Sequence, residues 1–159
     1  MKRMQAPPTP PMIYLTADTH FFHKNIAKYC ERPDGWQDDI LSHWSKLKDD
    51  DIVFHLGDLI FGNRLSEISQ YLKGIKFLLK GNHDRLSNQR YIEAGFTIMK
   101  SPFVVGYITP IVLSHRPIYS PINLHGHTHK ASDIGVDVGW DVWGRFLELG
   151  EAVSYLHLR

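Results

Sequence analysis

Met12-Ile13-Tyr14-Leu15-Thr16-Ala17 is a short apolar run that stops at Asp18-Thr19-His20. The same event occurs twice more. Asp51 to Leu56 reads as a second strand and gives way to Gly57-Asp58, and Ile75 to Leu79 reads as a third and gives way to Gly81-Asn82-His83-Asp84. Between these runs the period is helical. Trp36, Ile40, Leu41, Trp44 and Leu47 share one stripe over residues 36–48, while Leu65, Ile68, Tyr71 and Leu72 mark a second helix that ends near Gly74. Strands alternating with helices predict βαβ units and a parallel sheet. In open α/β sheets, ligands gather outside the carboxyl ends of the strands. The acids and imidazoles therefore appear where a site is expected.

A third helix is expected over 86–94. The pattern then changes to short strands at Thr97–Met99, Phe103–Ile108, Ile111–Ser114, Ile122–Leu124 and Ile134–Val138, and a helix over Leu149–Leu158 closes the chain. The second half thus reads as mostly β. It repeats the earlier theme with Ser114-His115 and with Gly126-His127-Thr128-His129. Residues 12–159 are read as one domain. Residues 1–11, which include Ala6-Pro7-Pro8-Thr9-Pro10-Pro11, are read as a flexible Pro-rich tail of polyproline type.

The chain has 159 residues, 43% hydrophobic and 22% charged. Those proportions exclude a disordered chain, a collagen-like repeat and a disulfide-dense miniprotein. Eighteen Lys and Arg against 17 Asp and Glu leave no bulk charge to favour nucleic acid or a membrane. Any phosphate binding must come from local arrangement. Cys30 is the single cysteine, so a reducing, cytoplasmic setting is expected. No apolar run approaches the roughly 20 residues that span a bilayer. The unusual count is histidine, with 10. Histidine is both the commonest metal ligand and the commonest acid or base at neutral pH.

The spacing of these residues carries chemistry. Asp18 and His20 are two apart, as are His127 and His129, so in extended chain each pair points to one face. The strand ends together offer Asp18, His20, Asp58, Asn82, His115, His127 and His129 as ligands, with His83 to spare. Imidazole suits Zn, Fe, Co, Ni or Mn, while carboxylate and amide oxygens suit harder ions. Seven ligands are too many for one tetrahedral ion. They suit two ions that share one carboxylate, as in two-metal hydrolases.

The ordered series Asp18-x-His20, Gly57-Asp58, Gly81-Asn82-His83-Asp84, His115 and Gly126-His127-x-His129 resembles the calcineurin-like metallophosphoesterases. The likeness runs from residue 13 to about 140. The stretch Asp18-Thr19-His20-Phe21-Phe22-His23-Lys24-Asn25-Ile26 is further similar to a compact bacterial and phage subgroup. The resemblance implies a four-layer α/β/β/α sandwich with metals at the sheet edge, and a hydrolase of phosphoesters. It gives Asp18, His20, Asp58 and His129 to one divalent ion, and Asp58, Asn82, His115 and His127 to the other, so that Asp58 bridges. Mn²⁺ is the expected ion, with Fe, Zn or Ni as alternatives. It makes His83 the catalytic imidazole and Asp84 its orienting partner. The chain departs from the protein-phosphatase branch, because Gly57-Asp58 runs into Leu59-Ile60-Phe61-Gly62 and Asp84 stands where that branch uses Glu. That favours a small phosphoester over a phosphoprotein.

The remaining candidates divide by context. His23, in a Phe-rich turn three residues past His20, is a candidate for lining the substrate site. Arg85 and Arg116 lie beside motifs and are candidate phosphate clamps, as is Arg32, with a solvated surface arginine the alternative for each. His55, inside an apolar strand, is expected to be buried and hydrogen-bonded. His43 and His157 are expected on helix surfaces. The four tryptophans are expected to be packing residues. A nuclease is the rival enzyme, with balanced charge against it. A binding scaffold is the rival of another class, with the presence of His83 against it. The chain has no G-x-x-x-x-G-K-[ST] phosphate loop.

Overall fold

The three apolar runs of the first half and the run that follows them form four parallel strands; the first two are shorter than their runs, the third matches its run, and the fourth begins one residue earlier than expected. In a computed structural model, which describes residues 9–106 and 108–157, these are β1 (Ile13–Thr16), β2 (Ile52–His55), β3 (Ile75–Leu79) and β4 (Phe96–Met99). Ile13 pairs with Ile52, Ile52 with Ile75, and Lys76 with Phe96. The crossovers carry α1 (Ile26–Tyr29), α2 (Trp36–Ser45), α3 (Leu65–Ile68) with a 3₁₀ turn over Ser69–Tyr71, and α4 (Asn88–Glu93). In α2, Trp36, Ile40 and Trp44 recur every four residues and are buried, and Asp38 and Asp39 lie in its first turn, where the helix dipole favours acids.

The second half supplies β5 (Phe103–Val105), β6 (Ile111–Leu113), β7 (Asn123–His125), β8 (Val136–Asp137), α5 (Trp140–Trp143), β9 (Leu147–Glu148) and α6 (Leu149–His157). The strands make two sheets. One has the order β4-β3-β2-β1-β9, with β9 antiparallel to β1; the other runs β5-β6-β7-β8, antiparallel between β5 and β6 and parallel thereafter. The expected mixed α/β architecture of two sheets with helices is present.

Alternation along each strand separates two cores. Val53 and Leu78 face the cluster with Trp44, Ile40, Leu65 and Tyr91, which seats helices on one face of the first sheet. Leu15, Leu56 and Leu79 face the cluster with Leu113, Leu124 and Val136, which joins the two sheets, and Ala152 of α6 packs there too. Trp44 is fully buried, lies edge-on to Phe96 and Phe146, and donates Nε1–H to the Lys73 carbonyl at 2.9 Å. Burying such a side chain stabilises the fold by about 3 kcal/mol.

The proposed tail lies outside the described residues for positions 1–8. At its described end, Lys48 Nζ donates to the carbonyls of Thr9 (3.0 Å) and Pro10 (2.9 Å). Among the described residues no helix is long and apolar enough to cross a membrane.

Candidate metal centre

Loops after β1, β2, β3, β6 and β7 meet at one edge of the two sheets. The first two stay paired beyond their strands: Asp18 N–H donates to the Gly57 carbonyl and His20 N–H to the Asp58 carbonyl, both at 2.9 Å. The extended-chain reason for Asp18 and His20 sharing a face does not hold. Asp18 (φ 56°), His20 (φ 50°), Asp58 (φ 56°), His127 (φ 72°) and His129 (φ 54°) are all left-handed. Non-glycine residues rarely adopt this region, and strain of this kind gathers at functional sites. Gly81 shows why no side chain fits beneath the site: a Cβ there would lie 2.1 Å from Asp58 Oδ1.

Two groups of ligand atoms from the strand ends result, each within a 4.8 Å span: Asp18, His20 and His129, and Asp58, His115 and His127; among the described residues a third, Cys30 with Asp141, lies on the other side of His129. His20 Nε2 lies 3.9 Å from Asp18 Oδ1 and 3.6 Å from Asp58 Oδ2; His129 Nε2 lies 3.8 Å from Asp18 Oδ1; His115 Nε2 lies 3.5 Å from Asp58 Oδ2. Two ligands about 2.1 Å from one tetrahedral ion are about 3.4 Å apart, so these separations approach those of shared coordination. Asp58 Oδ2 faces both groups.

The protonation states suit cations. His115 Nδ1–H donates to the Leu56 carbonyl at 2.9 Å, which leaves the Nε2 lone pair facing Asn82 Oδ1 at 3.1 Å. Burial lowers the pKa of His115, and lowers that of His127, where the His115 charge adds to it. Burial and the His129 charge lower His20 to about 2. Burial and the Asp137 charge raise Asp18 well above the carboxylate range. Asp18 Oδ1 and both ring nitrogens of His20 are buried without a hydrogen-bond partner. Such groups cost free energy unless paired, and a divalent ion satisfies acceptors of this kind. The residues present fit the metals that the resemblance implies.

His83 stands beside these groups. Its ring lies 5.2 Å from that of His20 and 5.6 Å from that of His23, and its Nδ1 is buried without a partner. Its backbone N–H donates to Asp58 Oδ1 at 2.8 Å. Asp84 does not orient this ring, which corrects the dyad expected from sequence. Its Oδ2 accepts from the backbone N–H of Asp58 (2.7 Å) and Gly81 (2.9 Å), and its Oδ1 from Leu59 (2.9 Å), Ile60 (3.3 Å) and the Tyr91 hydroxyl (3.3 Å). Asp84 is a staple between two site loops, because its oxygens are already taken up by buried donors.

His23 joins the cluster, with its ring 5.5 Å from His20 and 4.6 Å from Phe61. Arg116 is exposed and lines a groove with Lys80, Asn82 and His115, while Arg85 is exposed and belongs to neither donor group. Arg32 is a buried brace, neither a clamp nor a surface residue. It donates to the carbonyls of Asp18 (2.6 Å) and Thr19 (2.8 Å) and forks onto Asp141. Asp141 in turn takes His129 Nδ1 at 2.7 Å, and Cys30 Sγ lies 3.6 Å from the same nitrogen. The sequence reading missed Asp141; its placement beside a Trp in a short helix carried no signal of a site.

His55 is buried and hydrogen-bonded, as its apolar context predicts. Thr19 Oγ1–H donates to the Leu59 carbonyl, so it accepts from His55 Nε2–H at 3.0 Å, and His55 Nδ1 accepts from Gly57 N–H at 3.3 Å. Burial, with a smaller effect of the His115 charge, lowers His55 to about 3, consistent with this neutral ring. His43 is half-buried on α2 against Trp140. The side chain of His157 lies outside what is described.

The chain is similar to known proteins. A protein of Methanocaldococcus jannaschii named "Uncharacterized protein MJ1445" is 35% identical over 133 residues, covering 74% of this chain and 69% of that one. The solved structure of the protein of unknown function AQ665 from Aquifex aeolicus matches 92% of this chain and 100% of its own, at 24% identity and a TM-score of 0.75. That of the Pseudomonas putida nuclease MPE matches 75% of this chain and 62% of its own, at 21% identity and a TM-score of 0.52. These structures share the fold. The family model described as calcineurin-like phosphoesterase matches residues 11–147, which takes in both donor groups, His83 and the loops that carry them. The chain belongs to the calcineurin-like phosphoesterase family and is a metal-dependent phosphoester hydrolase.

Proposed function

We propose that the chain hydrolyses small phosphodiesters, with phosphomonoesters as lesser substrates, using two divalent ions of which Mn²⁺ is the first choice. The observation that carries this reading is the position of Asp58 Oδ2, 3.6 Å from His20 Nε2 on one side and 3.5 Å from His115 Nε2 on the other. One carboxylate shared by two donor groups is the arrangement of a two-ion hydrolase. Asp18, His20, Asp58 and His129 would hold one ion; Asp58, Asn82, His115 and His127 would hold the other. When bound, the ions neutralise phosphoryl oxygens and acidify water.

The chain's own groups do the rest. His115 and His129 are fixed through Nδ1 by the Leu56 carbonyl and by Asp141, so Nε2 of each faces the site. His83, whose ring nitrogen has no other partner, gives a proton to the departing oxygen. His23, beside it, shields that oxygen from water. Arg116 and Lys80 attract the anionic substrate from the opposite groove.

The test is hydrolysis of bis(p-nitrophenyl) phosphate and p-nitrophenyl phosphate by protein stripped of metal and reloaded with Mn²⁺. Diester turnover that appears with Mn²⁺ and exceeds monoester turnover supports the reading. Monoester turnover alone would make the protein a phosphatase. A nuclease is the second reading. It is favoured by the exposed Arg116 of the opposite groove and by the fold shared with the Pseudomonas putida nuclease MPE, and degradation of a single-stranded oligonucleotide under the same conditions tests it.

A further inference from the structure

We infer that the groove beside His23, walled by Phe61 and Tyr29, is a subsite for the nucleobase of a nucleoside phosphoester. The inference rests on the phosphodiesterase reading and names the substrate class for that same site.

The groove holds about 610 Å³ and is lined by Phe22, His23, Lys24, Tyr29, Phe61 and Arg64, among others. Pockets that bury small molecules span about 300–1,000 Å³. It is continuous with the reacting centre through two rings: His23 lies 4.6 Å from Phe61 and 5.6 Å from His83, and His83 lies 6.2 Å from Phe61. A group seated on Phe61 therefore lies within reach of the oxygen that His83 would serve. The position of His83 makes this the leaving-group side.

The wall is aromatic and open to solvent. Phe61 is 44% exposed and Tyr29 is 71% exposed, whereas nearby Phe21, which is bridged to Ile60, is fully buried. Single exposed aromatics need no explanation, but two that share one groove with an imidazole form a stacking platform. Phe22, in the same groove, holds φ at 63°, a conformation that bulky residues avoid and that ligand clamps tolerate. The Arg64 guanidinium covers the Phe22 ring at 4.1 Å, which leaves Phe61 and Tyr29 as the exposed aromatic walls. Lys24 is an exposed cation on the rim, complementary to an anionic ester, whereas the Arg64 guanidinium is forked onto Glu67. A sugar or a short alkyl group gains little from a π-face. A flat heterocycle linked to phosphate uses every wall of the groove.

The experiment compares adenosine 5′-monophosphate with ribose 5-phosphate, which carries the same phosphate without the base. Calorimetry on Mn²⁺-loaded protein gives both dissociation constants for wild type, Phe61→Leu and Phe61→Ala. The nucleotide should bind at least tenfold more tightly than the sugar phosphate, and both variants should lose most of that margin, since one base–aromatic stack is worth about tenfold or more. Phe61→Leu keeps apolar bulk and removes only the π-face. Circular dichroism checks that the variants fold, which the exposure of Phe61 favours. Tyr29→Ala should lose part of the margin by the same route. Equal binding of the two probes to wild type, or a margin kept by both Phe61 variants, would overturn the inference. Failure of the phosphodiesterase reading would look different: no Mn²⁺-dependent hydrolysis of any ester, whatever the ratio of the two binding constants.

Discussion

Asp141 Oδ2 lies 2.7 Å from His129 Nδ1, and Arg32 clamps the same carboxylate through Nε and Nη2, each at 2.7 Å. The carboxylate makes Nδ1 the protonated nitrogen of His129, so the lone pair sits on Nε2 and faces Asp18 Oδ1. Burial raises the Asp141 pKa, but the bonds from His129 and Arg32 outweigh it and hold the group near about 2. Asp141 thus stays charged at any pH at which the enzyme would work. Asp141→Asn weakens this hold on His129 without removing a ligand. Metal affinity at the Asp18–His129 group should fall by about 10- to 100-fold. Titration of metal-free protein with Mn²⁺ checks this, and an unchanged affinity would show that His129 needs no such partner.

Asp84 should behave as a structural staple. Asp84→Asn places an NH₂ against at least two N–H or O–H donors whichever way the amide turns, because both carboxylate oxygens accept more than once. Denaturant unfolding of the metal-free variant should show a loss of about 2–4 kcal/mol. Burial raises the pKa of Asp84 to about 6. An acid raised above its unfolded value contributes stability that is present below the unfolded pKa and lost as pH rises through about 6. The deficit of the variant should therefore be larger at pH 5 than at pH 7.5. A deficit independent of pH would mean that Asp84 ionises in the fold as it does in water.

The strand-end residues were legible because an apolar run that stops at an acid or imidazole is a local signal. Asp18, Asp58, Asn82, His115, His127 and His129 all gather at one edge for that reason. What escaped was either very short or distant in sequence. α1 and α5 have four residues each, too few for a helical period to register, and β9 has two. The Arg32–Asp141 pair spans 109 positions, and only the tertiary fold brings it together. The extended-chain argument for the two Asp/His-x-His pairs reached the right residues by the wrong geometry, because a left-handed backbone leaves only a weak signature in residues that are not glycine. Adjacency misled for Asp84. A neighbour in sequence is not a neighbour to the ring when the carboxylate turns to four backbone amides.

Metal binding should strengthen as pH rises. Burial and the Asp137 charge raise the Asp18 pKa well above its ordinary value, so the metal-free fold loses stability as pH rises through that pKa. A divalent ion takes ionised Asp18 and releases the proton. His20, held near about 2 by burial, is neutral throughout and offers no competing proton. The gain in Tm on adding Mn²⁺ should be larger at pH 8 than at pH 5.5. Calorimetry in buffers of different ionisation enthalpy should report net proton release on Mn²⁺ binding. The same Tm gain at both values, with no proton released, would remove Asp18 from the ligand set.

The role of His83 yields the most discriminating prediction. Its ring sits among His20 and His23 with Nδ1 buried and unpartnered, and only its backbone N–H touches Asp58. Because Asp84 does not hold it, its orientation comes from those ring contacts and from the turn that follows Gly81. If His83 were a ligand, His83→Ala would lower metal content. If it is the leaving-group acid, the variant keeps its ions and turns over about 10²- to 10⁴-fold more slowly. The loss must then depend on the ester. An alkoxide leaves only with a proton and should suffer the full loss, whereas a nitrophenolate leaves readily without one and should suffer little. The measurement is turnover of an alkyl and a nitrophenyl diester by His83→Ala, with metal content determined on the same sample. Equal losses on both esters together with a missing ion would make His83 a ligand instead of an acid. Equal losses with full metal content would make it a binding residue for the phosphate, because a charge contact to phosphoryl oxygen does not distinguish one leaving group from another.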